Sequence, residues 1–258
     1  MDEFLKTCLI VCPLVFLAGF VDSVAGGGGI IAIPAYLMAG LPPHLASGTN
    51  KVVSGTGAIV ASVKYFRSGK VRLRPVLIAA VCAIFGSAAG SELAALLPER
   101  TLKLILLLAL PLVAVFLTVK KDFGRERPVP EKTLPPQREA LLSALIGLVF
   151  GCYDGLIGPG TGTFMIMGFT ALLAMDLLTA AGCARVTNLA SNAAAAAVWI
   201  LNGQVLWKLV LPAVFFSIAG SWCGARFAIR GGSRRVRGVM FLVLGLLFVK
   251  VLWDLISR

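Results

Sequence analysis

Four ionisable side chains, Asp22, Lys51, Asp154 and Arg185, stand within or beside stretches that are otherwise apolar. A charge in hydrocarbon costs about 2.5–3.5 kcal/mol even on the lenient insertion scale, so residues of this kind point to a site or to an ion pair. The side chains around them are neutral donors. Thr49, Asn50, Thr187, Asn188 and Asn192 supply hydroxyls and amides, and Ser54 stands where the second half of the chain has Asn192. Lys or Arg together with amides, hydroxyls and helix N-termini suits a small oxyanion better than a sugar or a metal ion. Polar residues in lipid also bond helix to helix, for about 0.6 kcal/mol on average, and for any one of these residues alone that role suffices. Their recurrence in both halves favours a site.

Each aspartate leads into a glycine cluster, Asp22 into Gly26, Gly27, Gly28 and Gly29, and Asp154 into Gly158, Gly160 and Gly162. At such clusters a helix can stop and restart. The new N-terminus then offers N–H groups and the positive end of the macrodipole to an anion. Pro159 lacks a backbone donor and strengthens the break. Close helix packing is the plainer role for glycine, and it accounts for Gly86 with Gly90 and Gly220 with Gly224, but four consecutive glycines exceed what packing requires. Asp22 falls at the C-terminal end of the first helix, where the dipole disfavours a carboxylate. Lys51 is its expected partner, and the same reading pairs Asp154 with Arg185. Two plainer readings stand beside this: both aspartates cap their own glycine turns through loop amides, and Arg185 snorkels to a headgroup.

The elements that must position these residues are membrane helices. The chain is 58% hydrophobic and 14% charged, with a mean hydropathy of +0.92, which is not the composition of a soluble globule. Runs long enough to cross a bilayer, at about 20 residues each, lie near 4–21, 44–66, 72–96, 101–119, 139–157, 181–201, 206–229 and 236–254. Two shorter runs, 29–40 and 161–175, follow the glycine clusters as thin spans or as returning arms of hairpins. The fold class is therefore an all-α integral membrane protein of eight to ten segments, built from two inverted repeats with glycine-rich breaks. The first repeat covers 1–119, a linker 120–138 and the second repeat 139–258.

Positive charge sets the orientation. Lys64, Arg67, Lys70, Arg72 and Arg74 form one cluster; Lys120, Lys121, Arg125, Arg127, Lys132 and Arg138 a second; Arg230, Arg234, Arg235 and Arg237 a third. With all three in the cytoplasm, both termini fall outside and the two halves insert with opposite orientation. The acidic opening Met1-Asp2-Glu3 is unlike a secretory signal, so the first run is read as a retained helix. The net charge of +12 follows from the basic loops, and no nucleic-acid partner is expected. The six cysteines form no Cys-x-x-Cys pair, and His44 after Pro42-Pro43 reads as an interfacial loop residue. Neither a thiol enzyme nor a metal or other cofactor is indicated.

Interrupted helices in inverted repeats are the plan of secondary transporters, with the substrate near the midplane where the breaks meet. The run GFVDSVAGGGG with Pro34 and TNK at 49–51, followed by YDGLIGPGTG and ARVTN, also resembles the sulfite exporter TauE/SafE family of membrane transporters, and within it the YfcA-type bacterial inner-membrane permeases. The resemblance spans nearly the whole chain. It implies transport of a small sulfur-containing anion such as sulfite or a sulfonate, usually outward. Outward movement of one negative charge is favoured by about 2.3 kcal/mol per 100 mV of interior-negative potential, so export needs no coupled ion. Import would need one, and Asp22 or Asp154 are then the natural proton or sodium carriers, so a proton- or sodium-coupled permease for another small organic or sulfur compound is the alternative within the transporter class. The expected partners are a small anion, the bilayer and, through the Gly86/Gly90 or Gly220/Gly224 surfaces, a homodimer. A non-transporting membrane protein that docks or senses through its basic linker is the alternative from another class.

Overall fold

The computed structural model describes residues 3–106, 108 and 134–256, with side chains described to 241. The elements are helices: α1 Glu3–Ala25, α2 Gly29–Met38, α3 Pro43–Arg67, α4 Leu73–Leu96, α5 Pro136–Leu156, α6 Thr161–Leu172, α7 Leu177–Leu201 and α8 Trp207–Ile256. Residues 99–106 are helical as well. Residues 107 and 109–119 of the expected 101–119 run, and linker residues 120–133 with Lys120, Lys121, Arg125, Arg127 and Lys132, lie outside the described residues.

Local chemistry places the helix ends. Proline opens α3 and α5, with Pro43 and Pro136 in the first turn where the missing N–H costs nothing. Asp176 caps α7 by accepting from the N–H groups of Leu178 and Thr179 at 3.1 and 3.0 Å. The two runs expected at 206–229 and 236–254 form α8, which breaks at Gly232 (φ 63°). His44 departs from expectation: the two prolines start a helix, so it sits in the first turn of α3, buried, with Nε2 3.1 Å from the Leu97 carbonyl oxygen.

Among the described residues, four helical stretches are long and apolar enough to cross a membrane: Phe4–Ala25, Leu73–Leu96, Pro136–Leu156 and Trp207–Phe241. Helices α3 and α7 have 25 residues each, about 37 Å at 1.5 Å per residue, but carry the polar clusters. The short helices α2 and α6 have 10 and 12 residues, roughly half of a 30 Å hydrocarbon core. Both double back on the helix before them. Ala32, Ile33 and Tyr36 pack with Val11, Val15 and Ala18, while Phe164 meets Tyr153 and Gly168 faces Ile146. Each short helix is thus the returning arm of a hairpin.

The helices pack across the two halves. Helix α4 lies on α5 and α8 on α1. A methyl group at Gly86 or Gly90 would fall 2.3 or 2.2 Å from the carbonyl oxygen of Leu148 or Cys152, and one at Gly220 or Gly224 falls 2.1 or 2.3 Å from that of Phe16 or Phe20. Both glycine pairs are therefore occupied inside the chain, which leaves the expected homodimer without these surfaces. At the centre α3 and α7 run antiparallel: Gly48 near the start of α3 meets Gln204 beyond the end of α7, and Gly182 near the start of α7 meets Lys70 beyond the end of α3.

Matching contacts fix the internal register. Leu206 N–H donates to Thr49 Oγ1, and Arg72 N–H donates to Cys183 Sγ. Thr49 and Cys183, Arg72 and Leu206, Gly86 and Gly220, and Lys51 and Arg185 are all 134 residues apart. Asp22 and Asp154 are 132 apart, and the two extra residues of α6 over α2 account for the difference. The structural counterpart of Asn188 is therefore Ser54, and the motif match of Thr49-Asn50 with Thr187-Asn188 is displaced by four residues. One helical turn is 3.6 residues, so such a slip leaves the polar face in place.

Candidate functional site

The two hairpin tips touch. Thr163 donates from its N–H to the Gly26 carbonyl oxygen at 3.2 Å and from Oγ1 to that of Ala25 at 2.8 Å. Gly26, at φ +80°, has Gly162 against it so closely that a methyl group would lie 2.1 Å from the Gly162 carbonyl carbon. Gly29 faces Pro159. Gly158 and Gly160 also have positive φ, at 89° and 83°, on either side of Pro159. These glycines let two backbones meet and turn where no side chain fits.

Helices α3 and α7 pass beside the joined tips and supply the cations. Lys51 Nζ lies 2.8 Å from Asp154 Oδ1, both side chains buried. Arg185 Nη1 lies 2.5 Å from Asp22 Oδ2, with Nη2 3.4 Å from Oδ1. Each cation thus neutralises the aspartate of the other half, and the expected pairs of Asp22 with Lys51 and of Asp154 with Arg185 are corrected. The reason is topological. Because the hairpins pack across the halves with their tips in contact, the helix that faces each aspartate is the one from the other half.

Neutral groups complete both pairs. Asp22 Oδ1 accepts from the Gly28 N–H at 3.1 Å, so the aspartate caps its own glycine turn and is ion-paired as well. The amide at the restart of α2 is thereby occupied by the protein's own carboxylate. Asp154 Oδ2 accepts from Ser191 Oγ at 2.7 Å. Asn188 Oδ1 accepts from Arg185 Nη2 at 3.1 Å and from Asn192 Nδ2 at 3.0 Å, while Asn50 Oδ1 accepts from Ser54 Oγ at 3.2 Å. Thr187 bonds back to the Cys183 carbonyl oxygen and Thr49 to Leu206, so both threonines serve helix packing. Arg185 is 2% exposed and does not snorkel.

The structure brings together Asp22, Lys51, Asp154, Arg185, Asn188, Asn192 and both glycine tips. Sequence reasoning missed Ser191, three residues past Asn188 and hence on the same helical face, a spacing that marks it. It also missed Ser217 and Ser221, which with Asp22, Gly28, Asn50 and Ser54 line a small cavity with room for about one water. Apolar clusters close the polar region along α7, one taking Leu177 to Ala184 and the other Ala195 to Trp199. Two cations are matched by two carboxylates, so an oxyanion that binds here competes with a carboxylate for its cation.

A family profile described as sulfite exporter TauE/SafE matches residues 11–251. A "probable membrane transporter protein ORF9" from Sinorhizobium sp is 36% identical, covering 93% of this chain and 90% of the relative. A "probable membrane transporter protein" from Haemophilus influenzae is 33% identical with 98% of each chain covered. The probable membrane transporter protein YfcA of Escherichia coli K12 is 29% identical, covering 97% of this chain and 93% of the relative. No solved structure shows a significant match.

Proposed function

Because this chain belongs to the sulfite exporter TauE/SafE family of membrane transporters, we propose that it carries a small anion, a sulfur oxyanion or organosulfonate, outward across the bacterial inner membrane. The halves 1–119 and 139–258 act as inverted repeats around one site, joined by a cytoplasmic linker, with both termini outside. The antiparallel α3 and α7 support the inversion. One observation carries the reading: Lys51 and Arg185, at equivalent positions of the two halves, meet buried amides and hydroxyls at the contact of two broken helices. In transport the anion displaces Asp154 from Lys51 and Ser191, which parts the α3 side of the site from the second hairpin, and Arg185 with Asn188 supplies the second set of donors. The glycine tips allow the hairpins to separate without steric cost.

A second reading, a proton-coupled permease, is favoured by the matched charges. An anion entering a site whose cations are already neutralised leaves one negative charge in excess, and a proton on the displaced aspartate removes it.

Flux from liposomes loaded with radiolabelled sulfite, sulfate, sulfoacetate or taurine tests both. Saturable efflux of one anion that responds to an imposed potential and is lost in Lys51→Ala is the expected result. Dependence on a pH gradient at zero potential selects the coupled form. No flux of any of the four above empty liposomes, with the protein folded, overturns the substrate class.

A further inference from the structure

Beyond transport, we propose that the break in α8 forms a binding site for the phosphate of an anionic phospholipid. The break at Gly232 opens a groove of about 570 Å³ lined by Phe227, Gly231, Arg234, Arg235, Gly238 and Val239. The volume is roughly twenty times the share of one liquid water, far more than a small oxyanion fills. Its walls carry two guanidinium groups, no carboxylate, and apolar surface from Phe227 and Val239. That division suits a phosphate with the first carbons of its acyl chains, and we assign the lipid rather than a soluble anion for this reason.

The basic wall is built. The Arg235 guanidinium stacks 4.6 Å from the Phe227 ring centroid and donates from Nη1 to the Phe227 carbonyl oxygen at 3.3 Å. Its stem crosses Gly231 so closely that a methyl group there would fall 1.8 Å from Arg235 Cδ. Glycine at 231 thus leaves room for the Arg235 stem to lie along the groove floor, with guanidinium N–H groups still to donate. Arg234 stands exposed beside it. The stretch from Trp207 to Gly231 is 25 residues, about 37 Å of helix, enough to cross the hydrocarbon and bring the groove to headgroup level. Val239 also packs with Val21, Ala25, Ile30, Met167 and Met240, the apolar cluster under the hairpin tips. A lipid in the groove thus braces the elements that carry Asp22.

The test uses full-length protein in nanodiscs of phosphatidylcholine alone or with phosphatidylglycerol, read by native mass spectrometry and thermal unfolding. The wild type is expected to retain phosphatidylglycerol over phosphatidylcholine and to melt higher in its presence. The Arg234→Ala/Arg235→Ala variant is expected to bind it about 10- to 30-fold more weakly, at roughly 1 kcal/mol per basic residue. Gly231→Ala, which keeps both charges but shifts the Arg235 stem, tests the geometry and is expected to lose less of the preference than the double variant. Equal retention by wild type and the double variant, or equal retention of the two lipids, overturns the site. Full displacement by millimolar inorganic phosphate overturns the lipid assignment in favour of a soluble anion. The double variant's melting point in phosphatidylcholine alone, expected unchanged, separates lost lipid from lost fold, and these readouts are independent of flux.

Discussion

The two buried ion pairs occupy equivalent places in the two halves, yet one is anchored far more firmly than the other. Asp22 receives both arms of a guanidinium and the N–H of Gly28, and its arginine is held in turn by Asn188. Asp154 receives a single ammonium and the Ser191 hydroxyl. A planar guanidinium fork fixes direction as well as charge, whereas an ammonium is a point charge on a flexible stem. In the proposed transport cycle this contrast makes the arginine pair the fixed half of the lock and the lysine pair the half that opens.

Substitutions can break this contrast. Arg185→Ala leaves the partly buried Asp22 beside a lone amide and is expected to cost about 3–5 kcal/mol, the range for orphaning one partner of a buried pair. Lys51→Ala orphans Asp154, the more deeply buried carboxylate, and is expected to cost as much while abolishing flux; denaturant unfolding in detergent reads both losses. Gly26→Ala combines a positive φ with backbone contact from Gly162, and about 2–4 kcal/mol is expected. Gly158→Ala has the same φ problem but 3.4 Å of clearance, so a shift in melting point of less than half that of Gly26→Ala is predicted.

Smaller changes sharpen the contrast. Arg185→Lys removes the fork and keeps the charge, for about 1–2 kcal/mol, whereas Lys51→Arg should preserve stability and slow flux by binding Asp154 too firmly. Asn192→Ala removes one amide from Asn188 and should cost only about 0.6 kcal/mol, with a modest change in apparent affinity for the anion.

Much of this architecture was readable from residue types. Hydropathy and the proline and glycine punctuation located the helices, including the breaks at Gly26 to Gly29 and Gly158 to Gly162, because lipid leaves the backbone few alternatives. The four charged residues were legible because burying them unpaired is so costly. What pairs with what was not. Within one half, Asp22 and Lys51 are near neighbours along the chain, and nothing in either segment says that the hairpins cross to the other repeat. Nor could polar periodicity tell Asn50 from Ser54 as the counterpart of Asn188, since both lie on one helical face. The register was set instead by backbone contacts such as Leu206 to Thr49 and Arg72 to Cys183, which leave little mark on composition.

The crossed packing of α1 with α8 and of α4 with α5 has a consequence for how the protein is made. During synthesis the first half enters the bilayer well before α5 to α8 emerge, so Asp22 and Lys51 must wait without Arg185 and Asp154. Neither half can reach its final arrangement alone, and α1 is closed only when α8 arrives. Assembly is thus a late, all-or-nothing event, and a nascent chain halted before α7 should be a preferred target of membrane quality control.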